Sequence, residues 1–265
     1  MSLELLLGLL GLFGAAAIGM PVAYAIIVGV LIYLGVAGQD LAIAGETMVQ
    51  RLFDGFLLLA VPLFIVSANI MNAGSISDRL LKFCVALVGR FRGGLGHVNV
   101  VASLIFSGMS GSAVADAAGI GKLIIDMMIK SGRYSPGYAA AITAATATIG
   151  PIIPPSIPLV LYALVSDTSI AALFLGGIVP GLIMGAVLMG MNAWIANRRD
   201  FGEEEAVPLV QLPRITLNAA PALLMPVILL TCIYSGVTTP TEAAAIAAFY
   251  ALLVSAFLYR TLKFR

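Results

Sequence analysis

The sequence predicts an all-α, polytopic membrane protein with a re-entrant helical hairpin and a broken transmembrane helix, and three observations carry that expectation. Of its 265 residues 61% are hydrophobic and only 10% are charged, whereas a soluble domain carries about 25% charged residues because water must solvate its surface. Uncharged apolar runs of helix length recur along the whole chain. Two of those runs are interrupted by Gly, Ser or Pro in their middles, where an unbroken span would have none. A net charge of +1 with no basic face provides no electrostatic footprint for nucleic acid. Cys84 and Cys232 stand alone in apolar stretches, and His97 is the only histidine. A disulfide framework, a CxxC metal site and a His-based centre all lack their parts.

The elements follow in order. Leu5 to Gly38 carries no charge. As one helix it would run roughly 50 Å at 1.5 Å per residue, too long for one straight crossing of a hydrocarbon core of about 30 Å. Pro21, preceded by Gly19 and Met20, divides it into two pieces. Glu4 with no Lys or Arg before it is unlike the basic start of a signal peptide, so the first helix is expected to stay as a membrane anchor. Gln39 to Gly55 mixes Asp40, Glu46, Arg51 and Asp54 with apolar residues and reads as an interfacial helix.

Phe56 to Met71 is a second apolar block containing Pro62, followed by Asn69, Asn72 and a Gly74-Ser75 turn. Ser77 is placed to cap a basic amphipathic helix from Asp78 to Arg92. From Gly93 to Gly121 the sole formal charge is Asp116, and the stretch reads as two half-length helices, about 96–109 and 114–130, meeting at Ser110-Gly111-Ser112-Ala113. Lys122 and Asp126 have the spacing of a helical ion pair. Tyr134 to Asn197 has Asp167 as its sole charge. Inside it, four prolines and a glycine crowd between Gly150 and Pro158, a composition that unwinds a helix in mid-membrane.

Asp167-Thr168-Ser169 reads as an interfacial cap for a span from Ile170 to Ala196, in which Gly177, Gly181 and Gly185 form a close-packing face. Arg198 to Gln211, with Glu203, Glu204 and Glu205, is a polar loop. Pro213 to Tyr259 is a long helical stretch interrupted at Gly236 to Pro240 and restarted by an N-cap at Thr239-Pro240-Thr241-Glu242. Lys and Arg cluster at 79–92, 122–133, 198–199 and 260–265 and are absent from the first fifty residues, which places the N-terminus outside the cytoplasm.

The two breaks carry the chemistry. A broken helix exposes carbonyls on one side and amides on the other; with Ser and Thr hydroxyls the carbonyls suit a hard cation, and the amide ends attract carboxylates. An unsatisfied backbone group in lipid costs several kcal/mol, so a break persists where ions, water or protein fill it. A packing kink satisfied by neighbouring helices is the alternative for either break; two rich breaks in one chain favour a site. Asp116, one turn beyond Ser112, is a candidate as an intramembrane carboxylate, and equally a brace for the hairpin tip. Gly108-Met109-Ser110-Gly111 matches the GxSG pattern of intramembrane serine proteases, but no histidine follows it. His97 sits on the same hairpin arm, so a base within reach is lacking and no enzyme is expected.

The run from Gly108 to Asp116 strongly resembles the large membrane subunit of TRAP transporters, the tripartite ATP-independent periplasmic systems. So do Ile149-Gly150-Pro151-Ile152-Ile153-Pro154-Pro155-Ser156, Thr239-Pro240-Thr241-Glu242-Ala243-Ala244-Ala245, Gly19-Met20-Pro21-Val22-Ala23 and Pro62-Leu63-Phe64. The resemblance implies a sodium-driven, elevator-type importer of organic acids, dicarboxylates among them, in the bacterial inner membrane. It implies a symport with sodium as coupling ion and no cofactor, and two partners: a small membrane subunit and a periplasmic solute-binding protein. It also implies two inverted repeats, each of the ion-transporter type with a re-entrant hairpin and a broken helix.

Carried onto this sequence, Ser110, Gly111, Ser112 and Ala113 form the hairpin tip, and Thr148, Gly150, Ile152 and Pro154 lie on the unwound stretch. Sodium is held through Ser110, Ser112, Thr148 and Gly150, Asp116 supports the hairpin, and Asn69 faces the same region. The implied organisation is scaffold and interfacial helices over 1–55, a transport-type repeat over 56–168 and connecting helices over 169–265. The repeat has its hairpin at about 96–130 and its broken helix at about 134–166. Between 169 and 265 neither the SGSA nor the GPIIPP motif recurs. The sequence is therefore expected to hold one half of a transport site, as a fragment or with its complement on another chain. A receptor-independent ion-transporter relative and a non-transporting membrane scaffold are the competing readings.

Overall fold

The computed structural model describes residues 2–54, 56–73, 76–202 and 208–259. Among them every regular element is helical. The chain divides into two compact units, Met1–Phe56 and Leu57–Arg265. No such division falls at 169, so the expected repeat and the connecting helices share one body.

In the first unit α1 (Leu3–Ala17) and α2 (Val22–Val36) are separated at Gly19, whose φ of 89° stops the helix, and at Pro21, which restarts it. The break expected there is present. The two helices pack on one another, with Gly8 facing Gly29. An amphipathic α3 (Ala42–Asp54) follows.

A 3-10 turn, Phe56–Leu59, leads into α4 (Ala60–Ala73), the first α-helix of the second unit, with Pro62 in its first turn where a missing N–H costs nothing. The expected Gly74-Ser75 turn lies outside the described residues. Helix α5 spans Ile76–Val88. The cap expected at Ser77 is not formed, because the helix already begins at Ile76; Ser77 lies buried in the first turn, and the helix stops short of Arg92. Next come α6 (Gly94–Ser110) and the short α7 (Ala113–Asp116). A π turn, Ala117–Gly121, joins α7 to α8 (Lys122–Lys130). α6 packs against α7, the π turn and α8, so the expected two-armed hairpin is formed. Lys122 and Asp126 do not pair. Both are exposed, and a base preceding an acid at this spacing is the weaker orientation.

Helix α9 (Pro136–Ala147) unwinds before α10 (Ile157–Ser166) begins. Asp167, at φ 52°, ends α10, and Ser169 caps α11 (Ile170–Arg199), accepting from the Ala172 N–H at 3.5 Å. The stretch Asp167-Thr168-Ser169 therefore closes one helix as well as opening the next. Glu203, Glu204 and Glu205 lie outside the described residues. α12 (Leu212–Tyr234) and α13 (Pro240–Leu253) complete the fold, and a π turn, Val254–Leu258, extends α13.

Helix α11 shows which solvent the surface meets. Gly177, Gly181, Gly185, Asn192 and Ala196 are buried, while Leu175, Val179, Leu182, Ile183 and Val187 are exposed. Beyond Ile170 and Phe174 the buried positions are small or polar while large apolar residues face outward, which inverts the pattern of a soluble helix and suits lipid. Ile170–Arg199, Leu212–Tyr234 and Pro240–Leu258 are each long and apolar enough to cross a bilayer, and shorter apolar helices accompany them. The chain is an all-α, multi-pass membrane protein.

The expected N-cap at Thr239 is a full capping box: the Thr239 N–H donates to Glu242 Oε2 at 2.7 Å, and the Glu242 N–H donates to Thr239 Oγ1 at 3.3 Å. Thr239→Ala removes one half of it and is expected to lower stability by about 1 kcal/mol, with Thr239→Ser near wild type. Unfolding of the detergent-solubilised protein by denaturant checks this, the serine variant separating the cap from the methyl group.

Candidate functional site

The hairpin tip is built by a change of helix direction within two residues. Gly111 ends α6 at φ 62°, its N–H donating to the Ser107 carbonyl at 3.2 Å. Ser112 then takes an extended conformation and caps α7, its Oγ accepting from the Ala115 N–H at 3.4 Å. Between these, the Ser110 hydroxyl donates to Asp116 Oδ1 at 2.5 Å, and the Ser112 N–H reaches Ser110 Oγ at 3.5 Å. Ala113 is the first residue of α7.

The unwound stretch is held by its own turns. The N–H groups of Ile149, Gly150, Ile152 and Ile153 donate to carbonyls three or four residues back, so the backbone descends in turns instead of a continuous helix. The Pro154-Pro155 bond is cis. Ser156 closes the stretch, donating to the Pro151 carbonyl at 2.5 Å while accepting from the Leu159 N–H at 3.2 Å as the cap of α10.

The fold brings these two breaks together. The Ile157 N–H donates to the Gly111 carbonyl at 3.3 Å. A side chain at Gly111 would run into the Pro155 carbonyl oxygen. One at Gly150 would meet Asp116 Oδ2 at 3.0 Å and the Ser112 carbonyl carbon at 3.2 Å. The close-packing face of α11 lies against the same stretch: Gly177 accommodates the Ile152 carbonyl and Gly181 the Ile153 side chain. Asp116 therefore sits between tip and stretch, 1% exposed. Its Oδ1 is bonded to Ser110, while its Oδ2 has no hydrogen-bond partner and faces Gly150.

Of the residues singled out in the sequence, Ser110, Gly111, Ser112, Asp116 and Gly150 are gathered here. Ile152 and Pro154 lie beside them, contributing carbonyls packed toward Gly177 and Gly108. Thr148 is not gathered: it ends α9 with an exposed side chain whose hydroxyl donates to the Ala145 carbonyl at 2.6 Å. The hydroxyl turned inward is that of Thr146, because the buried face of α9 runs through Ile142, Thr143, Thr146 and Ala147. Asn69 is likewise outside the cluster. The inward face of α4 holds Phe64, Ser67, Ala68 and Met71, and Asn69 falls on the exposed side. The sequence reading passed over Asn99 on α6, which is 0% exposed and joined to both Thr143 and Thr146. Its signal was an amide in an uncharged helix, a residue that requires partners in lipid.

Residues 9–265 match the family model described as the tripartite ATP-independent periplasmic transporter, DctM component. The chain is 43% identical over 95% of its length to the sialic acid TRAP transporter large permease protein of Vibrio cholerae, covering 59% of that protein. It is 41% identical over 96% of its length to the 2,3-diketo-L-gulonate TRAP transporter large permease protein of Escherichia coli, again covering 59%. A C4-dicarboxylate TRAP transporter large permease protein of Vibrio cholerae is 36% identical over 93% of the chain, which spans 54% of it. The chain thus spans somewhat over half the length of these relatives. All three are permeases, a class without catalytic activity, and in this chain the match of Gly108-Met109-Ser110-Gly111 to a protease pattern falls on the hairpin tip. With its motifs, its fold and this similarity in agreement, the chain belongs to the DctM family, the large membrane component of TRAP transporters.

Proposed function

We propose that this chain forms part of a secondary transporter of the bacterial inner membrane that imports an organic acid by symport with sodium. In this reading a periplasmic solute-binding protein delivers the acid, a small membrane subunit completes the complex, and the hairpin at 94–130 is re-entrant. The tip and the unwound stretch move together as one elevator-like element. The observation that carries the cation is Asp116. A carboxylate buried in a membrane protein with one oxygen unpartnered, and in no ion pair among the described residues, is costly to leave uncompensated. A sodium ion beside Oδ2 would satisfy it, with the Gly150 backbone and the Ser110 and Ser112 oxygens nearby as further hard ligands. The acid would then be held by backbone amides at the helix ends that the two breaks create. The carboxylate-bearing substrates named for the relatives support an organic acid as cargo.

The test is the melting temperature of the detergent-purified protein in NaCl against KCl at equal ionic strength. Sodium is expected to raise it progressively with concentration, the added stability reaching about 2.7 kcal/mol at a hundred times the dissociation constant. Equal melting in both salts at every concentration would sink the sodium reading. Uptake of labelled succinate and sialic acid into proteoliposomes, with and without the periplasmic protein, then separates receptor-dependent import from a receptor-independent carrier.

A further inference from the structure

A buried polar cluster lies on the hairpin arm away from the tip. Asn99 of α6 donates through Nδ2 to Thr143 Oγ1 at 2.6 Å, and its Oδ1 accepts from Thr146 Oγ1 at 3.1 Å. All three residues are buried, Asn99 and Thr146 completely. The two threonines sit one turn apart on the same face of α9. Asn99 gives to one and takes from the other, so the amide reads two points on α9. A slip of one residue between the helices would break both bonds at once. The second hairpin arm closes over the same place. Gly121, in the π turn, approaches so near that a side chain there would lie 2.6 Å from Thr143 Cγ2 and 2.9 Å from the Asp116 carbonyl.

The location gives the cluster its consequence. Thr146 is the last residue but one of α9, which ends at Ala147, and the unwound stretch that follows enters α10 at Ile157. Its far end is tied to the C-terminus of α6 by the Ile157 N–H to Gly111 carbonyl bond. Its near end is tied to the same helix by Asn99, through Thr146. The stretch is therefore pinned at both ends to one hairpin arm, and Gly150 lies between the pins, against Ser112 and Asp116.

We propose that Asn99 is a positioning residue: with Thr143 and Thr146 it sets the register of α6 against α9 and so fixes the unwound stretch against the hairpin tip. Its side-chain hydrogen bonds go to Thr143 and Thr146, whereas Asp116 is bonded to Ser110. Its effect on a cation there rests on the sodium reading given above; its effect on the backbone does not.

The decisive variant is Asn99→Leu, with the same side-chain branching and without hydrogen-bonding groups. Thr143 and Thr146 can fall back on carbonyls of their own helix, as Thr146 already does on that of Thr143 at 3.1 Å, so the helices are expected to survive. Two readouts are taken on the detergent-purified chain. The first is hydrogen–deuterium exchange in sodium-free buffer: exchange is expected to rise at 148–157 and 110–113 while α11 and α12 remain as in wild type. The second is the sodium concentration needed to reach a fixed melting-temperature gain, expected to increase roughly tenfold, the scale on which supports of metal ligands act. Thr143→Ser with Thr146→Ser keeps both hydroxyls and is expected to behave as wild type in both. Unchanged exchange at 148–157 and 110–113 in Asn99→Leu overturns the proposal. So does a lowered melting temperature with the wild-type dependence on sodium concentration, which is what a purely structural contact would give. If wild-type protein shows no sodium response yet the exchange change is present, the sodium reading fails and the positioning role stands.

Discussion

Gly111→Ala is expected to be among the most damaging single-methyl changes in the protein, lowering stability by roughly 2–4 kcal/mol and abolishing any sodium response. Two costs combine. Gly111 has φ 62°, and an L-residue placed in the left-handed region pays about 1–2 kcal/mol for crowding its own Cβ against the backbone. The new methyl group would also overlap the Pro155 carbonyl oxygen and come within 3.2 Å of the Ile157 nitrogen. Both are backbone atoms that cannot swing aside, so the tip must retreat from the unwound stretch. That retreat would stretch the 3.3 Å bond from the Ile157 N–H to the Gly111 carbonyl. Gly132→Ala isolates the first cost: Gly132 has φ 69°, and nothing lies within 4 Å of its Cβ position. Thermal unfolding of both variants in the same detergent makes the comparison. A Gly111→Ala loss no larger than that of Gly132→Ala would mean that the close docking of tip on stretch does not contribute.

What could be read from the sequence was whatever local backbone chemistry decides. Gly19-Met20-Pro21, Ser110-Gly111-Ser112 and the prolines at 151, 154, 155 and 158 leave the chain few conformations, and the helix breaks fall where those residues stand. The capping box at Thr239 is similarly a contact of neighbours in sequence. The errors came where helical phase decides. Thr146 and Thr148 are two residues apart, and only the packing of α9 determines which hydroxyl turns inward. In a soluble helix the polar side would have given the phase away, but here the outward face is apolar too, so the periodic signal is weak. The same ambiguity put Asn69 inward in place of Ser67. Ser77 was misjudged because a good capping residue is equally at home one position inside a helix that starts earlier. The Asn99 cluster joins residues more than forty positions apart; its polarity was visible, its partners were not. That tip and stretch would meet was implied by resemblance alone, since nothing local in either motif names the other.

Asp116→Asn is expected to remove the sodium response while leaving the sodium-free fold at least as stable as wild type. The substitution separates the two roles this residue can have. As a brace, Asp116 needs only an acceptor for the Ser110 hydroxyl, which it provides through Oδ1 at 2.5 Å. Asparagine keeps the side chain's length and supplies such an acceptor through its own amide oxygen. As a cation ligand, Asp116 needs a negative charge at Oδ2, the atom that faces Gly150 without a hydrogen-bond partner. Asparagine has none. Removing an uncompensated buried charge also relieves a desolvation penalty of several kcal/mol, so without sodium the variant gains where a simple loss of contacts would cost it. The crossing of the two effects is diagnostic: the variant should melt at or above wild type in KCl and below it in saturating NaCl. Ser110→Ala complements it, taking away the brace but leaving the charge, and is expected to lower the melting temperature in both salts while retaining part of the sodium gain. If Asp116→Asn keeps the full sodium gain, the carboxylate is only a brace, and a cation bound at the tip must be held by hydroxyl and carbonyl oxygens alone.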